Sequence, residues 1–154
     1  NAKASDEAIA AVTKAMTTSA AAASKRMVEL GANACTDITG FGLLGHAFEM
    51  AKASDVCFEI DSSAVPLLPD VLELIDQGML TRGDKNNRVY VGETVRFADS
   101  VSSTMQSALF DPQTAGGLLI SINEAKAELF IDKLPEAVVI GNVRSKQDHL
   151  IYVV

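Results

Sequence analysis

Apolar positions recur three or four residues apart through the opening of the chain, at Ile9, Val12, Met16, Ala20, Ala23, Met27 and Leu30. That period predicts one long amphipathic helix. Ser5 stands where it can cap the N-terminus, and Asp6 and Glu7 follow in the first turn, where carboxylates favour the positive end of the helix dipole. Gly31 is the expected stop. The stripe is mostly Ala and Met, which predicts a helix lying close against a sheet. A short extended piece is expected over Ala34–Thr39, and a second helix over Gly40–Ala53.

Further along, V-C-F-E-I-D at Val56–Asp61 reads as a strand. Pro66 and Pro69 frame a loop, and Val71–Gln77 reads as a short helix stopped by Gly78. The polar run Thr81–Asn87 predicts a loop, with Val89–Val91 a strand after it. Asp99–Leu109 is expected to be helical, Gly117–Ile122 a strand, Asn123–Leu134 a helix and Ala137–Val143 a strand. Leu150–Val154 is expected to pair with that last strand across a turn at Ser145–His149. Strands alternate with helices while the end reads as a hairpin, so the expected fold is an α+β sandwich with helices packed on a mixed sheet.

Length and composition narrow the function. The chain of 154 residues is 48% hydrophobic and 21% charged, which fits one globular domain over residues 1–154. Its 13 Lys and Arg against 20 Asp and Glu give a net charge of −7, and with no basic cluster a nucleic-acid surface is not expected. No apolar run reaches the ~18 residues of a membrane span, and the opening lacks the basic-then-apolar pattern of a secretion signal. Cys35 and Cys57 form no C-x-x-C pair, so two reduced thiols in a cytoplasmic protein are expected.

Two segments carry chemistry. The first, Ala34–His46, reads A-C-T-D-I-T-G-F-G-L-L-G-H and sets Gly40, Gly42 and Gly45 at the start of a helix. Each glycine inside a helix costs about 1 kcal/mol relative to alanine, so three together imply close approach of a phosphate, a backbone or another chain. Thr39 stands where it can cap this helix, and Asp37 lies just outside its N-terminal amides. G-x-G-x-x-G, with Asp61 about 20 residues further on, invites a dinucleotide-binding reading. The polar strand before the glycines and the carboxylate of Asp37 speak against it. A carboxylate beside a phosphate site suggests instead a Mg²⁺-nucleotide site. The second segment, Leu109–Ile120, reads L-F-D-P-Q-T-A-G-G-L-L-I, a turn running into an apolar strand.

Together, T-D-I-T-G-F-G-L-L-G-H and F-D-P-Q-T-A-G-G-L-L closely resemble the selenophosphate synthetase (selenide, water dikinase) family, within the aminoimidazole ribonucleotide synthetase-like superfamily. The resemblance extends over most of the chain, including Pro66–Pro69 and G-x-x-x-N at Gly83–Asn87. It implies the C-terminal domain of a two-domain ATP-using enzyme that makes selenophosphate, AMP and phosphate from ATP, selenide and water with Mg²⁺. The family's reactive Cys or selenocysteine and most of its metal-binding aspartates belong to the N-terminal domain. This stretch alone is therefore expected to be inactive, and neither Cys35 nor Cys57 matches the nucleophile. By resemblance, Asp37 is a Mg²⁺ ligand, and Thr39, Gly40, Gly42, Asn87, Gln113, Thr114, Gly116 and Gly117 lie at the nucleotide side of the cleft. The resemblance also implies a cytoplasmic homodimer. Ala20 stands where the family usually carries Asn, and Ala115 where Ser is commoner.

The remaining candidates have plainer readings. His46 is expected to be a satisfied core histidine, His149 a solvent-exposed turn residue, Asp61 a turn cap, and Arg82, Lys85 and Arg88 a solvated loop. The alternatives are another ATP-dependent enzyme of the superfamily, or a binding module with the glycine helix as its interface.

Overall fold

The computed structural model describes residues 4–154. Helix α1 spans Asp6–Thr17, and the Ser5 hydroxyl caps it by accepting the Ala8 N–H at 3.1 Å. The expected long helix then breaks. Thr17 and Thr18 turn their hydroxyls back onto the Lys14 carbonyl (3.2 and 2.7 Å), and Thr18 leaves helical geometry at ψ 125°. A run of hydroxyl side chains competes for the backbone and ends the helix. Helix α2 resumes at Ala21–Leu30 and stops at Gly31, which is left-handed as expected. The stripe is only partly covered among the described residues: Val12, Ala23, Met27 and Leu30 are half-buried, whereas Ile9 and Met16 are 46 and 44% exposed.

Strand β1 (Ala34–Asp37) leads into helix α3 (Gly42–Ser54) and strand β2 (Val56–Ile60). Asp61 then caps a 3-10 turn by accepting the Ser63 N–H at 2.9 Å, and Ser63 holds its carboxyl below the usual range. Helix α4 is Val71–Asp76. The expected loop at Thr81–Asn87 and strand at Val89–Val91 are one helix, α5 (Arg82–Val91). Thr81 caps it, Asp84 pairs with Arg88 one turn on at 3.0 Å, and Asp84 and Asn87 face inward. Polar Asp84 and Asn87 are on the buried side and Val89 is exposed, so the hydropathy pattern reads as loop.

Strand β3 (Val95–Phe97), which the pattern did not announce, precedes helix α6 (Ser103–Phe110), strand β4 (Leu118–Ser121) and helix α7 (Glu124–Ile131). Strands β5 (Gly141–Ser145) and β6 (Ile151–Val153) close the fold. They do not form the expected hairpin. In the four-stranded sheet the order is β3-β6-β2-β5, with β6 parallel to both β3 and β2, and β5 antiparallel to β2. Ile151 and Val153 are fully buried and take a central place, whereas G-N-V-R-S is mostly exposed and sits at the edge. Residues 149 and 152 also correct an expectation. His149 is half-buried beside Tyr152 (ring centroids 5.7 Å apart), its Nδ1 paired with Asp148 at 2.7 Å.

The main core forms where Leu44, Ala47, Phe48 and Ala51 of α3 meet Phe58, Ile60, Ile151 and Val153 of the sheet and Leu109 and Phe110 of α6. A separate two-stranded antiparallel sheet pairs β1 with β4, from Ala34 opposite Ser121 to Asp37 opposite Leu118. The architecture is α+β with a mixed sheet. It is not the dinucleotide-binding unit: β1 is antiparallel to β4, and β2 belongs to the other sheet.

Candidate functional site

The two glycine-bearing segments meet at the end of the β1–β4 ladder. Beyond Asp37, the Ile38 N–H donates to the Gly117 carbonyl (3.0 Å), and the Gly116 N–H donates to the Ile38 carbonyl (2.8 Å). The Thr39 carbonyl accepts from both Gly42 (3.0 Å) and Gln113 (2.9 Å). One oxygen thus ties the start of α3 to the turn after α6. Gly116 presses against Ile38 so closely that a Cβ there would lie 2.8 Å from its Cγ2.

The first helical residue is Gly42, not Gly40, and the position before it is Phe41, which makes no side-chain cap. Thr39 does not cap the helix with its hydroxyl. Its N–H donates to His46 Nε2 at 3.0 Å, which makes that nitrogen the acceptor, and its Oγ1 lies 3.1 Å away from the same atom. His46 is half-buried, not the core histidine expected, and its Nε2 holds Thr39. Gly40 is open: a Cβ there would meet nothing within 4 Å. Phe41 is partly exposed and stacks on Tyr90 (centroids 5.0 Å, planes 13° apart), whose hydroxyl donates to Glu49 at 2.5 Å.

Asp37 is exposed at the last position of β1, and its carboxylate has no hydrogen bond or ion pair among the described residues. No group of three His, Cys, Asp or Glu residues able to surround a metal occurs among the described residues. The exposed Asp37 carboxylate is chemically able to give a hard cation one donor, and any other ligands would have to come from outside the described residues. Cys35, two residues before it, is exposed; partial burial and then the neighbouring Asp37 push its thiol up. Cys57 is buried, and neither cysteine forms a disulfide.

In the second segment Thr114 is exposed and Gln113 is half-buried, its Nε2 donating to the Asp111 carbonyl at 3.3 Å. Burial raises the Asp111 carboxyl above its ordinary range, opposed by a hydrogen bond from Thr81 (2.8 Å) and reinforced by the charge of Asp84. Asn87 is buried in α5, and its Nδ2 donates to the carbonyls of Gly40 (3.1 Å) and Phe110 (2.9 Å). Sequence reasoning placed Asn87 in a loop at the ligand side and missed these contacts, because backbone carbonyls leave no mark in a sequence. Arg82 and Lys85 are exposed on the same helix, and Arg88 lies over the Phe110 ring at 4.7 Å. A surface depression of about 370 Å³ sits apart from both segments, lined in part by Cys57, Glu59, Arg144 and His149. Its polar groups already have partners: Arg144 pairs with Glu59, and His149 Nδ1 lies 2.7 Å from an Asp148 carboxylate oxygen.

Known proteins are similar to this chain in sequence. The family described as AIR synthase related protein, C-terminal domain, matches residues 2–154. Selenide, water dikinase of Caldanaerobacter subterraneus subsp. tengcongensis is 44% identical over 136 residues, 85% of this chain and 39% of that protein. The protein of the same name from Treponema denticola is 45% identical over 111 residues, 72% of this chain and 31% of its own length. That of Clostridioides difficile is 43% identical over 126 residues, covering 79% and 36%. The chain thus spans well under half the length of these curated relatives. With the family's pattern matched from residue 2 to residue 154, the chain belongs to the AIR synthase related protein, C-terminal domain family.

Proposed function

We propose that this chain is the C-terminal part of a selenide, water dikinase, making selenophosphate, AMP and phosphate from ATP, selenide and water. The observation that carries the reading is the Thr39 carbonyl. It accepts N–H groups from Gly42 and Gln113 and so joins the two resembling segments in one surface beside Asp37. The 43–45% identity to proteins named selenide, water dikinase supports the same substrates.

In this reading Asp37 supplies one carboxylate to Mg²⁺, whose chemistry is to neutralise charge on phosphate oxygens during transfer. The chain's own part is positional. Gly40, with no side chain and open space around it, lets a phosphate or a facing chain come close to the backbone. Gly42, Gly116 and Gly117 shape the turn behind it, while Thr39, Gln113 and Thr114 set polar groups along the cleft. The remaining ligands and the nucleophile come from the rest of the protein, so residues 1–154 alone turn nothing over. A homodimer and a cytoplasmic location belong to the same proposal. No described helix is long and apolar enough to cross a membrane.

The test is phosphorus NMR on the whole protein with ATP, Mg²⁺ and selenide under anaerobic conditions. Selenophosphate with AMP is the expected result. ADP with another acceptor would move the protein to a different branch of the superfamily, and intact ATP would leave only the fold.

A further inference from the structure

We infer that Asn87 is a positioning residue, the clasp through which helix α5 holds the two glycine-bearing turns at a fixed spacing. Its role in turnover rests on the function proposed above; the clasp itself does not. Asn87 is only 4% exposed, and its side-chain amide meets two carbonyl oxygens, those of Gly40 and Phe110. Two acceptors require the NH₂ end to face them, which fixes the orientation of the amide. Gly40 lies in the first turn, just before α3, and Phe110 is the last residue of α6 before the second turn.

The rest of α5 grips the same two segments. The Thr81 hydroxyl donates to Asp111, and Gly83 lies against the Pro112 ring, where a Cβ would clash at 2.0 Å. Arg88, held by Asp84, covers the Phe110 ring, and Tyr90 stacks on Phe41. Successive turns of one helix therefore touch one segment, the other, or both. Asn87 is the group that binds both at once. With both N–H donors on the backbone, it acts through the direction of the Gly40 and Phe110 peptides and not by touching a ligand. No other side chain of its size offers two diverging N–H donors without a charge. Aspartate would set a negative charge against two carbonyl oxygens.

The test compares wild type with Asn87→Asp and the milder Asn87→Ser in the whole protein, by amide hydrogen exchange and steady-state kinetics. Loss of the clasp frees both turns together. Peptides holding the Gly42 and Gln113 amides should exchange about tenfold faster, while those reporting Phe58 in the four-stranded sheet and Val154 just beyond it stay unchanged. The kcat for selenophosphate should fall about tenfold or more, with KM for ATP within about twofold. Uniform acceleration across the sheet would reduce Asn87 to a general stability residue. A raised KM with kcat kept would make it a ligand contact. Either result overturns the inference, as does unchanged exchange at both turns. If wild type makes no selenophosphate, the proposed function fails, and the exchange data still decide the clasp.

Discussion

Gly42 and Phe110 touch main chain to main chain: a Cβ on Gly42 would lie 2.7 Å from both the carbonyl carbon and the carbonyl oxygen of Phe110. Gly42 also sits at φ +65°, in the left-handed region. Gly42→Ala therefore meets a backbone penalty and a steric one. It should destabilise the protein by about 2–4 kcal/mol, measured by urea unfolding. A loss below about 0.5 kcal/mol would mean that α3 and α6 can separate freely.

Gly40 is the opposite case within the same motif. It has open space at its Cβ position and no positive φ. Gly40→Ala should leave stability within about 0.5 kcal/mol of wild type. Turnover of the whole protein should nevertheless fall, since the added methyl occupies the space a phosphate or facing chain would use. Full activity would place the ligand elsewhere.

Asp37→Ala separates a metal ligand from a structural carboxylate. The side chain is exposed and unpaired among the described residues, so unfolding free energy should change by less than about 0.5 kcal/mol. Selenophosphate formation by the whole protein should drop about 100-fold or more. A fall in melting temperature with activity retained would give Asp37 a structural role.

The two thiols should behave as two classes. Iodoacetamide should modify Cys35 in the native protein and Cys57 only after unfolding, because one is exposed and the other buried. Burial and then Asp37 raise the Cys35 thiol, so Asp37→Ala should speed its alkylation at pH 8 by increasing the thiolate fraction. Mass spectrometry of the labelled protein reads both outcomes.

Asp111 gives a pH dependence. Its carboxyl is raised in the fold, chiefly by burial, with Asp84 adding to the rise. Between the unfolded and folded values the native state binds more protons, so stability falls as pH rises through that window. The penalty is complete above the folded value and absent below the unfolded one. Asp111→Asn keeps an oxygen able to accept from Thr81 and removes the charge. Its melting temperature should therefore equal or exceed that of wild type at pH 7, with the difference shrinking toward pH 4. A large loss at pH 7 would show that the charge itself is needed.

Elements with a strong apolar period and a clear cap were legible in the sequence. Ser5, Gly31, the strand at Val56–Ile60 and the helix after Gly42 follow local rules. Helix α5 was not, since its inward residues include Asp84 and Asn87 and its exposed ones include Val89. The place of β6 was hidden for a different reason. Which strands flank Ile151 and Val153 is decided by burial across the whole sheet, not by the neighbouring turn. In the site, Gly40, Gly42 and Gly45 stood out as costly glycines, and the structure supplies a close approach for Gly42 and Gly45 while Gly40 is open. The bond from Asn87 to two main-chain oxygens had no counterpart in the pattern.

The β1–β4 ladder has a bearing on the order of assembly. Ala34 finds its partner only at Ser121, from the other half of the chain. During synthesis the first glycine segment leaves the ribosome long before the strand and turn that complete it. Closing so long a loop is entropically costly. The surface at the end of this ladder therefore cannot form before residues 118–121 have been made. A nascent or truncated chain that stops short of β4 lacks that surface, and it also lacks Ile151 and Val153, against which helix α3 packs.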